Sequence, residues 1–194
     1  MVLTGKINTR LVAEINLYIS EGAGNGVKGI GLSGEDAQLL TVKKHRIPEL
    51  GLVGEVEKID NEILTILLEK NYIPVIATVG VDNKGTRYNI NADTVAGQLA
   101  ISLKADKLIY LTDVDGIFKD FNDPNSLISS LPIDQAKELI KSGKIQKGMI
   151  PKVNSAVQAL KGGVNKVHFL NGKGAHSVLL ELFTDSGIGT EIIR

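Results

Sequence analysis

The sequence, 194 residues long, contains no cysteine. Disulfides, thiol nucleophiles and thiolate metal sites are therefore excluded. Charge of one sign is also lacking, since 22 Lys and Arg balance 22 Asp and Glu. That balance argues against a broad basic surface for nucleic acid or anionic lipid. The three histidines are His45, His168 and His176, and no two stand at metal-ligand spacing. No stretch approaches the roughly 18 consecutive apolar residues of a membrane span, and no basic-then-apolar leader opens the chain. The expected location is cytoplasmic. The phosphate-loop pattern G-x-x-x-x-G-K-[ST] and the G-x-S-x-G elbow are both absent, so neither a P-loop nor serine hydrolysis has support. Aromatic residues make up only 4%. Glycine, by contrast, contributes 21 residues, above the roughly 7% of average chains. This combination suits a chain with many strand–helix turns.

What is present reads as a globular α/β protein. Hydrophobic residues form 43% and charged residues 23%, a composition able to build a core. Leu11, Val12, Ile15 and Ile19 recur at helical spacing, and Gly22 stops that helix. Residues 27–32 read as a strand. Residues 39–57 read as a hairpin with the basic tip Lys43-Lys44-His45-Arg46. Asn61 is expected to cap a helix carrying Ile63, Leu64, Leu67 and Leu68. Residues 73–79 form one continuous apolar strand. Val95, Ala96, Leu99, Ala100 and Leu103 mark a further helix. A strand at 107–112, a long polar loop to Ser130, helices at 134–142 and 150–161, a strand at 167–170, a helix at 175–183 and a strand at 190–193 complete the chain. Strands alternating with helices imply a three-layer sandwich around a mostly parallel central sheet. A lobe boundary is expected near residues 104–107.

Four segments could carry chemistry. Gly24-Asn25-Gly26-Val27-Lys28-Gly29 matches G-x-G-x-x-G, but it follows a helix and precedes a strand, the reverse of the dinucleotide context. It reads as a connector. Asn89-Ile90-Asn91-Ala92-Asp93 places two amides and a carboxylate where a turn meets a helix, suited to a small polar substrate or to helix capping. Thr112-Asp113-Val114-Asp115-Gly116 ends a strand in a sharp turn, suited to a nucleotide's ribose or adenine or to a plain surface turn. Gly148-Met149-Ile150-Pro151-Lys152 opens a helix with proline in its first turn. Lys152 there opposes the helix dipole, a local inconsistency that suits phosphate binding as well as it suits a solvated lysine.

These segments, in this order, resemble the amino-acid kinase family, and within it the branch acting on N-acetyl-L-glutamate. The resembling blocks are residues 1–8, Gly31–Gly34, Gly51–Val56, Asn89–Asp93, Leu111–Ile117, Gly148–Val153 and Thr184–Thr190. The resemblance implies transfer of the γ-phosphoryl of ATP to the side-chain carboxylate of N-acetyl-L-glutamate, in arginine biosynthesis. It implies that Asn89 binds that substrate, that Asp93 holds catalytic lysines in position, and that Lys152 neutralises charge on the transferred phosphoryl. Asp113, Val114, Asp115, Gly116, Ile117, Phe118, Lys144, Ile145, Gln146 and Met149 would line the nucleotide site. Mg²⁺ would ride on the nucleotide phosphates, with no protein metal ligand. The lobes would be 1–104 for the amino-acid substrate, in part, and 105–194 for the nucleotide, and intact members would self-associate. His176, Glu181 and the Gly187–Thr190 turn resemble the arginine-site side of regulated members, or plain helix and turn. The family's opening strand with its lysine and Gly-Gly turn, its second glycine-rich loop and its substrate-gripping arginine are not found. The chain therefore reads as the family without its N-terminal third, weakly active or inactive by itself. A nucleotide-binding module without turnover, and a sister kinase acting on an aminoadipate-type carboxylate, are the alternatives.

Overall fold

Residues 2–23, 26–120, 122–145, 148–184 and 187–194 are described by a computed structural model. The helix expected near residue 11 is α1 (Asn8–Tyr18), lying against two parallel strands, β1 (Lys28–Ser33) and β4 (Tyr72–Ala77), paired from Lys28 opposite Tyr72 to Ser33 opposite Ala77. Amides fasten it as much as apolar contact does. Asn8 Nδ2 donates to Val75 O at 2.7 Å. Asn16 Nδ2 donates to Gly29 O at 3.0 Å, and its Oδ1 accepts the Gly29 N–H at 2.7 Å. These two side chains stand just over two helical turns apart and so face the same strands.

The hairpin β2 (Leu40–Lys44) and β3 (Val53–Ile59) joins β5 (Val79–Val81) and β6 (Arg87–Ile90) in a small closed barrel, in the order β2-β3-β6-β5. Leu40, Val42, Tyr88 and Ile90 fill it. The single strand expected over 73–79 is in fact two. The chain bends at Thr78, leaving the β1–β4 pair for the barrel. Gly80 permits the switch, because a Cβ there would lie 2.7 Å from Val42 and 2.8 Å from Leu40 O. Helix α2 (Glu62–Glu69) forms as expected, but the Asn61 side chain makes no cap bond. Asp60 Oδ1 accepts the Glu62 N–H instead, at 3.4 Å.

The second half builds a four-stranded sheet in the order β7-β9-β10-β8, from β7 (Lys107–Thr112), β9 (Lys166–Asn171), β10 (Thr190–Ile193) and β8 (Ser130–Pro132). Strand β8 lies where only the end of a loop was expected. Helices α4 (Ile133–Lys141) and α5 (Ile150–Lys161) supply Ala136, Val153, Ala156, Ala159 and Leu160 to a core completed by Leu131, Val167, Phe169 and Ile192. Tyr110 and Phe169 stack with ring centroids 5.2 Å apart. Helix α6 (Ser177–Phe183) precedes the last strand.

The α/β class and the leaning toward parallel pairing are as expected. Among the described residues five strand pairings are parallel and three antiparallel. The strands fall into three sheets rather than one, and the short connections 45–52 and 82–86 join antiparallel neighbours. The chain divides into two units, Met1–Val95 and Ala96–Arg194. The division falls inside α3 (Ala92–Ser102), earlier than the boundary expected near 104–107. Ala96, Ala100 and Ile101 of that helix pack into the core of the second unit, and this assigns its second half there.

Candidate functional site

In the second unit, Val114, Gly116, Ile117, Phe118, Lys144, Ile145 and Met149 line one small crevice. It lies just past the carboxyl end of β7, where ligands of open α/β sheets gather. Local chemistry builds both walls. After β7, Thr112 Oγ1 donates to Val114 O at 2.7 Å and accepts the Val114 N–H at 3.2 Å, reversing the chain. Gly116 passes so close to β10 that a Cβ would sit 2.5 Å from Thr190 Oγ1. The facing wall comes from the end of α4, where the Lys144 N–H closes on Leu139 O at 3.0 Å, and from Met149 at the head of α5. Ile117, Ile145 and Met149 are buried.

Seven of the ten residues expected at a nucleotide are thus brought together. Asp113 and Asp115 are exposed and do not line the crevice. The Asp115 carboxylate accepts from Asn171 Nδ2 at 2.8 Å. Gln146 lies outside the described residues. Lys152 is half-buried in the first turn of α5, three residues beyond Met149, a spacing that puts both on one side of the helix.

A larger depression, of about 770 Å³, adjoins the crevice and shares Lys144. Lys119, Ser129, Ser130, Gln135, Glu138 and Ser142 face it. The sequence reading missed these six. They come from a loop, a strand and a helix that only the fold makes neighbours, through the bridge Phe118–Leu127 and the bond from Ile128 N–H to Ile117 O at 2.8 Å. The stretch expected to be a long polar loop thus contributes Lys119 and residues 127–130 to this wall, and within it Asp123 Oδ1 accepts the Asn125 N–H at 2.9 Å.

Glu181 lies on α6. Its side chain is buried, and it accepts from His168 Nδ1 at 2.8 Å, Ile188 N–H at 2.7 Å and Gly189 N–H at 3.0 Å. Burial pushes its pKa up, but the bonds from His168, Ile188 and Gly189 and the nearby imidazole outweigh burial and leave it below the ordinary glutamate value. These bonds give Glu181 a clear part in holding the turn before β10.

In the first unit, Asn89 is exposed on β6, opposite Val53 and Val79, and its N–H donates to Leu52 O at 2.9 Å. Asn91 Oδ1 accepts the Thr94 N–H at 3.0 Å and so serves the helix as a cap. Asp93 is half-buried in the first turn of α3. At the hairpin tip Lys43, His45 and Arg46 converge on Glu55, at 3.8, 3.6 and 3.7 Å, which explains that basic run without a ligand. Among the described residues no group of three His, Asp or Glu could hold a metal, and no helix is long and apolar enough to cross a membrane.

The α/β fold is shared with solved kinases. Carbamate kinase from Giardia lamblia matches 98% of the chain at TM-score 0.68 and 18% identity, over 70% of its own length, a likeness of fold. The profile of the amino acid kinase family matches residues 1–171, and the chain belongs to that family. It is 48% identical to the acetylglutamate kinase of Moorella thermoacetica and 51% identical to that of Cyanidioschyzon merolae. The whole chain aligns in both cases, with 66% and 63% of those proteins. The chain thus spans about two thirds of the length of the curated relatives it matches. N-acetylglutamate synthase from Neisseria gonorrhoeae, solved with coenzyme A and N-acetyl-glutamate, matches 99% of the chain at TM-score 0.75 and 27% identity, over 45% of its own length.

Proposed function

We propose that this protein serves the ATP-dependent phosphorylation of the side-chain carboxylate of N-acetyl-L-glutamate, in the cytoplasm. The observation that carries the reading is near-half identity to acetylglutamate kinases along the whole chain. Phosphoryl transfer to a carboxylate needs in-line positioning and charge neutralisation more than a protein nucleophile. The crevice of Val114, Gly116–Phe118, Lys144, Ile145 and Met149 is assigned to the adenosine end of ATP, and the adjoining depression gives a nucleotide room. Gln146, Asp113 and Asp115 are assigned to the same site. Lys152, in the first turn of α5, is assigned the charge developing on the transferred phosphoryl. Asn89 is assigned the amino-acid substrate, and Asp93 the orientation of catalytic lysines. A magnesium ion would travel with the nucleotide phosphates and offset their charge. The first unit is assigned the amino-acid substrate and the second the nucleotide, with the boundary within α3 rather than at 104–105.

A coupled ADP-release assay with N-acetyl-L-glutamate and a panel of other carboxylates tests the reading. The chain is assayed as it stands and joined to the third of the Moorella relative that it does not span. Turnover of the joined protein with N-acetyl-L-glutamate above all others supports the proposal, and preference for an aminoadipate-type acid would replace the substrate. A nucleotide-binding polypeptide without turnover is the second reading for the chain by itself. It is favoured by the two-thirds span, and turnover at about 1 per second or faster would overturn it.

A further inference from the structure

Resting on the nucleotide assignment above, we infer that Thr190 is a positioning residue for the crevice, acting through the backbone of Gly116 and Ile117. Thr190 is fully buried at the start of β10, opposite Phe169. Its Oγ1 accepts the Ile117 N–H at 2.8 Å, across 73 positions of chain. That N–H sits in a turn with no ladder partner, and a buried donor needs an acceptor. Gly116 fits the same hydroxyl from the side, since any Cβ there would collide with it and would lie 3.1 Å from Thr190 N. Gly116, Ile117 and Phe118 are successive crevice-lining residues, so the hydroxyl fixes one wall without touching a ligand.

Thr190 is itself held. The Glu181 carboxylate accepts the Ile188 and Gly189 N–H groups immediately before it and is bonded to His168 on β9. The chain of contacts runs from the buried His168 through Glu181 to the turn, then through Thr190 to Ile117. Thr190→Val would keep the shape and remove the acceptor, leaving Ile117 to seek water and drawing the wall with it.

The experiment is calorimetric titration of the whole chain with Mg·ADP, with amide hydrogen exchange read at Ile117. Thr190→Val is expected to weaken Mg·ADP by about tenfold or more and to speed exchange at Ile117, because a buried donor loses its acceptor. Thr190→Ser restores an acceptor and should stay within about threefold of the parent. Ile192→Val, buried in the same strand, should lower stability while leaving affinity within about threefold, since it only opens a cavity. Should Thr190→Val not fold, Gly116→Ala breaks the same contact from the loop side and is expected to lose affinity alike. An unchanged Kd in Thr190→Val overturns the inference, as does an equal loss in Thr190→Ser or Ile192→Val. A parent that binds no Mg·ADP overturns the nucleotide assignment, and this inference with it.

Discussion

Gly116→Ala places one methyl group where the fold leaves no room. The new carbon would stand 2.5 Å from Thr190 Oγ1, 2.9 Å from Leu127 Cδ1 and 3.1 Å from Thr190 N. Leucine Cδ1 ends a flexible side chain and can yield. Thr190 is fully buried on a paired strand and cannot. The loop must therefore retreat by about 1 Å to restore carbon–oxygen contact, and the 2.8 Å bond from Ile117 N–H stretches beyond bonding range. Overpacking of this kind costs about 1–3 kcal/mol, and a buried donor left unpaired costs a similar amount. The two are alternatives as much as addends, because retreat relieves the clash by breaking the bond. A loss of about 2 kcal/mol is expected, measured as a lowered urea midpoint at unchanged slope. Moving a crevice wall should also weaken Mg·ADP at least about tenfold, the equivalent of about 1.4 kcal/mol. A variant within about 0.5 kcal/mol of the parent, with unchanged affinity, would show that the loop has slack and would refute the tight-wall argument.

Glu181→Gln should destabilise the protein by about 1–3 kcal/mol at neutral pH, because glutamine cannot accept from His168, Ile188 and Gly189 together. The Glu181 pKa is lowered by folding, so its contribution is fully present above the unfolded glutamate pKa of about 4.3 and fades as pH falls through the lower folded value. The gap between variant and parent should accordingly close in acid melts below about pH 4, and a gap independent of pH would contradict this. In the joined kinase described above, Lys152→Ala should cut turnover on the order of 10²–10³ while nucleotide affinity stays within a few-fold; turnover within about threefold of the parent would remove Lys152 from the mechanism. Asn89→Ala should raise KM for the amino-acid substrate and spare Mg·ADP binding, and steady-state kinetics with calorimetry would expose the reverse.

The crevice was legible because its walls are short local signals. A Val-Asp-Gly turn after a strand and a proline-opened helix after a glycine are readable one segment at a time, and the resemblance ordered them. Asp113 and Asp115 were included with their neighbours because a turn's sequence does not say which side chains face inward. Lys119, Ser130 and Gln135 carry no such signal, since only the fold, through the Phe118–Leu127 bridge and the bond from Ile128 N–H to Ile117 O, brings them together. The bend at Thr78 was hidden in an unbroken apolar run, and it depends on how closely Gly80 approaches Val42. The division within α3 was hidden for a similar reason. The apolar positions 95, 96, 99 and 100 continue through it at one helical period, although Ala96 and Ala100 serve the core of the second unit. The bonds of Glu181 to the turn were not legible, beside the two readings of it as arginine-site side or plain helix, because its partners at 188 and 189 are backbone groups, which sequence does not distinguish.

The central claim is that residues 114–118 and 144–152 form a nucleotide site. Titration of the isotopically labelled chain with Mg·ADP, followed by amide nuclear magnetic resonance, tests it most directly. The account predicts saturable shifts concentrated at Gly116, Ile117, Phe118, Lys144, Ile145 and Met149 and around Ser129 and Ser130. No shift at millimolar nucleotide, or shifts gathered instead on α1, β1 and the barrel strands of the first unit, would contradict it.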